Sequence, residues 1–264
     1  MILRLHIAYD GTGFHGWQAQ PDGVKTVQGS INAALARFLN IDESEVQLQG
    51  ASRTDAGVHA LGQVASLRFD DRREVWDYVR ALNALTPDSI SINHGQVMAD
   101  GFNARHDSHG KRYEYRIWNH RFVHPLLRHR TWSFRHELDL GLMQEAASYL
   151  VGEHDFSAFR ASDCQQLSTV RQMWRVDVTK DGPDVRIVVE GSAFLKNMVR
   201  IMAGTLAEIG CGQLPPDAVL RGLESGNRAD VGMTAQPQGL TLQEVFYPEH
   251  PWDVEPSIGC WQKQ

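Results

Sequence analysis

Asp55 sits in a run of small residues, Gly50-Ala51-Ser52-Arg53-Thr54-Asp55-Ala56-Gly57-Val58-His59-Ala60. Arg53 lies two positions before the acid, Gly57 two after it and His59 four after it. Small side chains let a ligand approach the backbone, and Gly57 can take angles that other residues avoid. A carboxylate between an arginine and a histidine is favoured in its ionised form. An ionised carboxylate in an accessible loop can act as nucleophile or base. The plainer reading of the same residues is an Asx-turn at Asp55 and a solvated Arg53. On residue types alone it is the commoner outcome.

A second cluster follows. Residues 101–136 hold Arg105, Lys111, Arg112, Arg116, Arg121, Arg128, Arg130 and Arg135 against only Asp107 and Glu114. This local excess of six positive charges leaves the rest of a −6 chain at −12. Six of the 12 histidines lie here, interleaved with Tyr113, Tyr115, Trp118, Phe122, Trp132 and Phe134. Cations neutralise phosphates and flat rings stack on bases, a pairing suited to nucleic acid. A solvated face plus ordinary strand aromatics explains the composition equally well. Metal binding through His120 and His124 is weakly supported, because Pro125 opposes a helix that would align them and no Cys or acid completes a ligand set.

The elements that must position these groups read as a repeat. Leu3, Leu5, Ile7 and Tyr9 alternate with Arg4, His6 and Ala8, the period of a half-buried strand. Val27, Ile31, Leu35 and Phe38 recur at helical spacing behind an N-cap at Thr26. Strands over Val46 to Leu48 and Gln63 to Phe69 bracket the Asp55 loop. A helix carrying Val75, Tyr78, Val79 and Leu82 and a strand from Ser89 to Met98 follow. The order is β-α-β-β-α-β, a split βαβ unit.

The second half repeats the theme. It predicts a strand over Arg112 to Trp118 and a helix over Leu140 to Leu150. A hairpin turns at Asp181-Gly182-Pro183, helices cover Phe194 to Ile209 and Pro216 to Leu223, and a strand closes the half over Leu240 to Phe246. In the helix from Phe194, the apolar arc of Met198, Met202, Leu206 and Ile209 leaves Arg200 roughly opposite, at about 100° per residue. Periodicity therefore reads Arg200 as solvated. Two α+β halves are expected, over 1–105 and 106–248, with an irregular tail over 249–264.

The run Arg53-Thr54-Asp55-Ala56-Gly57-Val58-His59 resembles the catalytic loop of the tRNA pseudouridine synthase A family. Further matches follow in order: Tyr9-Asp10-Gly11, Gly16-Trp17-Gln18, Phe102-Asn103-Ala104-Arg105, Arg112-Tyr113-Glu114-Tyr115, Asp155-Phe156-Ser157-Ala158-Phe159-Arg160, Asn197-Met198-Val199-Arg200 and Gly239-Leu240. The resemblance covers about residues 1–248. It implies an α+β fold of two split-βαβ halves, like ferredoxin or RNA-recognition domains. One continuous, mostly antiparallel sheet would carry helices on one face and a central RNA cleft.

It also implies that Asp55 is the catalytic nucleophile, with attack at C1′ and help in removing a C2′ proton both open. Arg53 would fill the space left by a flipped nucleotide. Tyr113 would be catalytic, its ring stacking on the uracil and its hydroxyl able to help move a proton at C5. Arg200 would pair with the catalytic acid, and Leu240 would pack against the base. Arg105 and Arg112 fall in the matching motifs as substrate-binding residues. His59 and Gln63 are expected to support the loop. Tyr115 shares a strand face with Tyr113, so spacing alone does not choose between them.

The implied activity is isomerisation of uridine to pseudouridine in the anticodon stem-loop of tRNA, at positions 38 to 40. The implied enzyme is a cytoplasmic homodimer without cofactor or metal. Composition is compatible: 42% hydrophobic and 22% charged residues are ordinary for a globular enzyme. Cys164, Cys211 and Cys260 form no C-x-x-C pair, and no apolar run would span a membrane. Two rivals remain: a non-catalytic RNA-binding module on the same halves, and a nucleoside glycosidase. The glycosidase needs a second carboxyl group beside Asp55, and the loop offers none.

Overall fold

The computed structural model describes residues 1–21, 23–68 and 73–248. Among these, ten strands and five helices make a mixed α+β fold whose strand pairing is mostly antiparallel. The chain forms two compact units. One holds Met1–His109 with the chain from Glu244, and the other holds Gly110–Gln243.

In the first unit the order is β1 (Ile2–Tyr9), α1 (Val27–Leu39), β2 (Gln49–Gly50), β3 (His59–Arg68), α2 (Val75–Leu85) and β4 (Ile90–Met98). The strands pair as β4-β1-β3, with β2 on β3. Leu3, Leu5 and Ile7 are fully buried, as their alternation predicts. They share the core with Val27, Ile31 and Leu35 of α1 and with Tyr78 and Leu82 of α2. Gly95 of β4 lets α2 sit close, since a Cβ there would meet Val75 and Val79. Thr26 caps α1 by accepting from the Gly29 amide.

The register of β1 against β3 shifts between Ile7, opposite Gln63, and Tyr9, opposite Ala60. This bulge puts an extra residue into β3 immediately after the Asp55 loop. A one-residue slip reverses which face each side chain takes, and bulges commonly re-aim side chains beside functional loops.

The expected strand over Val46 to Leu48 is not there. A 3-10 turn over Glu43–Glu45 precedes only the short β2. Asp42 and Glu45 close a capping box that turns the chain, and the Leu48 carbonyl is taken by the Gln28 amide at 2.8 Å instead of by a strand partner. Phe69, the expected end of β3, lies outside the described residues, as does the tail over 249–264.

The second unit runs β5 (Gly110–Asn119), β6 (Trp132–Phe134), α3 (Leu140–Ser148), β7 (Gly152–Asp155), β8 (Val170–Asp181), β9 (Asp184–Gly191), α4 (Met198–Gly210), α5 (Ala218–Ser225) and β10 (Leu240–Phe246). Its strands pair as β5-β9-β8-β7, with β6 parallel on β5. The last three residues of β10 belong to the first unit. The β8–β9 hairpin turns at Gly182 and Pro183 as expected, with Gly182 at φ 56°. Sequence periodicity missed β6 and β7, which are three and four residues long and too short to show a period.

The helix expected from Phe194 begins four residues later. Asn197 takes the left-handed conformation (φ 63°), and the Lys196 carbonyl accepts from Ala161 rather than from a helical turn.

Candidate active site

In the first unit the Asp55 loop is held by backbone and side-chain bonds on both flanks. Trp17 N donates to Thr54 O (3.1 Å) and Gly57 N to Phe14 O (3.2 Å). The Tyr9 hydroxyl and Thr54 Oγ1 are 2.8 Å apart and buried. Val58 N closes a turn onto Asp55 O at 3.1 Å, with Gly57 at φ 77°. The segment carrying Gly11 and Gly16 lies directly against the loop. A Cβ on Gly11 would fall 2.1 Å from Val58 O, and one on Gly16 2.6 Å from Thr54 O. The Tyr9-Asp10-Gly11 and Gly16-Trp17-Gln18 motifs are therefore the bed on which the acid rests.

Gln63 is fully buried. Its Nε2 donates to Ser52 O (2.8 Å), and its Oε1 accepts from Ser52 N and Val64 N (3.2 Å each). A side chain here satisfies loop backbone that no strand reaches. His59, also buried, lies with Nδ1 3.0 Å from Gly11 N and 3.1 Å from Asp10 Oδ1, which ties the start of β3 to the Tyr9-Asp10-Gly11 segment. The expected supporting roles of these two residues thus correspond to direct bonds. Within this frame Asp55 is half-buried and Arg53 exposed. Arg105 is exposed at the end of the Asn103 turn, where the Asn103 side chain caps the amides of Arg105 and His106.

In the second unit, Tyr113 and Tyr115 lie on one face of β5, and both are buried. Tyr113 packs edge-on against Phe194, at 5.0 Å between ring centroids. Tyr115 donates its hydroxyl to Gln236 O at 2.7 Å and meets Trp132 edge-on. Burial pushes the Tyr115 hydroxyl well above its ordinary value, against the smaller opposing pull of Arg200, so it stays protonated. Tyr115 is thus tied into the core by its own hydroxyl. Gly239 is required beside it, because a Cβ there would meet the Tyr115 ring at 2.6 Å. Leu240, which follows, is buried as the first residue of β10.

Arg200 is half-buried rather than solvated, contrary to the helical-wheel expectation. Because α4 starts at Met198, Arg200 occupies the first turn, where the chain has just left Asn197. Its Nε donates to Ala235 O at 2.8 Å and its Nη1 to Asn197 Oδ1 at 2.9 Å. Ala235 N returns a bond to Arg200 O. The guanidinium is therefore held between the Ala235 carbonyl and the Asn197 side chain, a constraint no periodicity could reveal.

Arg112 pairs with Glu190 at 2.7 Å, and Arg116 is bidentate on Asp184. For Asp184, burial works against ionisation, but the bonds from Arg116 and Arg186 outweigh it and hold the carboxyl below its usual range. His120 and His124 each accept a nearby backbone amide through Nδ1. Among the described residues, no group of three His, Cys, Asp or Glu side chains is arranged to hold a metal. Nor is any helix long and apolar enough to cross a membrane.

The profile of the tRNA pseudouridine synthases matches residues 6–104 and 146–248, so both the Asp55 loop and the Arg200 helix fall inside it. The chain belongs to that family. It is 50% identical over 245 residues to the tRNA pseudouridine synthase A of Geotalea uraniireducens, covering 93% of this chain and 99% of the relative. It is 44% identical to the protein of that name from Acetivibrio thermocellus, with the same coverage. It is 45% identical over 252 residues to the one from Myxococcus xanthus, covering 94% of this chain and 93% of the relative.

Proposed function

We propose that this member of the tRNA pseudouridine synthase family isomerises uridine to pseudouridine in tRNA with Asp55 as the catalytic acid residue. The observation that carries this reading is the Asp55 loop itself. A half-buried carboxylate stands on backbone clamped by Trp17, Phe14, Tyr9 and Gln63. Catalysis of this kind depends on a carboxylate held in place before substrate arrives.

The reaction breaks the C1′–N1 bond, turns the uracil and joins C1′ to C5. N1 gains a proton and C5 loses one, so no redox partner or external energy source is needed. The target base must leave its stack first, at a cost of about a few kcal/mol. The exposed Arg53 is suited to the vacated space, because a planar guanidinium can both stack and bind phosphate. Tyr113 is assigned to the uracil and Arg200 to the carboxylate. Leu240 is assigned to the base edge, and Arg105 and Arg112 to phosphates. The motif Arg112-Tyr113-Glu114-Tyr115 favours Tyr113 over Tyr115 for the base, and Tyr115 is tied to Gln236 O. The same reading takes the target to be positions 38 to 40 of the anticodon arm and the working form to be a cytoplasmic homodimer.

The test uses an unmodified tRNA transcript tritiated at uracil C5. Wild type should release label and place pseudouridine in the anticodon arm, while Asp55→Ala should bind tRNA and release none. Binding without release by wild type would turn the reading to a non-catalytic RNA-binding module. Free uracil among the products would turn it to a glycosidase.

A further inference from the structure

The basic, aromatic stretch over 101–136 does not act as one surface. Tyr113, Tyr115, Trp132 and Phe134 are buried in the second unit, and Arg116 is bidentate on Asp184. Besides the exposed Arg105 and Arg135, the connection between β5 and β6 stays outside. We infer that this loop, residues 120–131, is an additional RNA-contacting surface, in which Arg121 and Arg128 meet phosphates and Phe122 offers a platform for an unpaired base. The inference rests on tRNA being the substrate and goes beyond the site around Tyr113.

Four observations support it. The loop has a built shape rather than a slack one. Trp118 Nε1 donates to Phe122 O (3.0 Å), and Phe122 N donates to His120 Nδ1 (3.1 Å). Leu127 N donates to His124 O, and Thr131 Oγ1 donates to Leu127 O (3.0 Å each). The His124 ring stands edge-on to Trp118, 5.1 Å between centroids. A surface already ordered loses less entropy when it binds.

The loop also presents its apolar groups outward, with Phe122 67% and Leu126 83% exposed. The Arg121 guanidinium lies 5.6 Å from the Phe122 ring centroid, and Arg128 is steadied by its bond to Pro125 O. A ring beside a guanidinium is the combination that grips single-stranded nucleic acid.

The charge selects the partner. From residue 115 to residue 136 the sequence contains no Asp or Glu. In the neighbouring hairpin, Asp184 is already held by Arg116 and Arg186. A second copy meeting this loop across a two-fold axis would set arginine against arginine, whereas a phosphate backbone complements it.

The position selects the part of the RNA. Tyr113 and Asn119 are six residues apart on β5, about 20 Å at strand spacing, so the loop reaches nucleotides other than the one at Tyr113.

The experiment measures tRNA affinity against salt, turnover at saturating tRNA and sedimentation. It compares wild type with the Arg121→Ala/Arg128→Ala double variant, Phe122→Ala and Phe122→Tyr. All three positions changed are exposed, so the fold should survive. The double variant should weaken binding and lower the slope of log K against log salt by about two, with turnover at saturation unchanged. Phe122→Ala should weaken binding by about fivefold or more, and Phe122→Tyr should bind like wild type.

Unchanged affinity and slope would overturn the inference. So would a shift in oligomeric state at unchanged affinity, which would make the loop a self-association surface. If wild type binds tRNA but makes no pseudouridine, the catalytic reading falls while the loop is still judged by its salt slope.

Discussion

Replacing Gln63 with methionine isolates the anchor of the catalytic loop. The side chain is 0% exposed and makes three bonds, two with the Ser52 backbone and one with Val64 N. Methionine has nearly the same length and volume, so little packing is lost. What disappears is the partner for the Ser52 amide and carbonyl. Each buried polar group left unsatisfied costs about 1–3 kcal/mol. Ser52 is half-buried, so water can recover part of this, and a net loss of about 2–3 kcal/mol is expected. For a chain of this size that lowers Tm by roughly 5–10 °C.

The second consequence is catalytic. Ser52 is three residues before Asp55, and loosening it lets the carboxylate leave its place. A misplacement of about 1 Å can lower the rate about 100-fold. At 25 °C, well below the melting transition, label release from tritiated tRNA should fall about 10- to 100-fold in kcat. Circular dichroism melts would read the stability term separately. A variant that melts within about a degree of wild type refutes the anchoring argument. One that melts early but turns over normally refutes its catalytic half.

The other expectations follow from single contacts. Gly11→Ala would drive a Cβ into Val58 O, backbone against backbone, so the loop must shift. A loss of kcat/KM well beyond that of Gly13→Ala, where nothing lies within 4 Å, is expected, and parity between the two would dismiss the close approach. Gly13 also has φ 80°, so its alanine variant carries its own strain and makes the comparison conservative. Arg200→Ala removes two directed bonds at a half-buried site and should cost activity about 100-fold or more while leaving the protein folded. Arg200→Lys cannot reproduce the fork and should not rescue it, and near-normal turnover in the folded alanine variant would remove Arg200 from the site.

Burial, then Arg4, then His94 bring His6 down from 6.5 to about 4. The folded state therefore holds fewer protons than the unfolded state below 6.5, and stability falls as pH drops from 6.5 toward 4, by up to about 3 kcal/mol. Urea melts of His6→Gln should show a flatter pH dependence over that window, and a slope equal to wild type would assign the acid sensitivity elsewhere.

The legible part of this protein was written in local patterns. Leu3, Leu5 and Ile7 alternate because one face of β1 is buried, and Thr26 caps α1 because a hydroxyl there meets an orphan amide. The order of strands and helices followed from such periods, while the run Arg53 to His59 stood out through its resemblance to a family motif, since residue types and spacing alone favoured an Asx-turn. The chain's family could be named from motifs for the same reason: they are short, contiguous and tied to backbone turns.

Other features depend on partners distant in sequence. Periodicity put Arg200 in solvent because it sees only the helix's own apolar arc and not the segment at Ala235 that covers the opposite side. The carbonyl of Ala235 and the side chain of Asn197, the left-handed residue before the helix, captured the guanidinium. Tyr113 and Tyr115 were equivalent by spacing, and packing gave them different surroundings, Phe194 beside the one and Trp132 with Gln236 O beside the other. The aromatics of 101–136 looked like one stacking surface, yet packing buried four of them and left Phe122 outside. Local sequence determines which backbone conformations are cheap and which face is apolar. Only the tertiary structure decides which buried polar groups find partners, because those partners lie tens of residues away and are chosen by the fold as a whole.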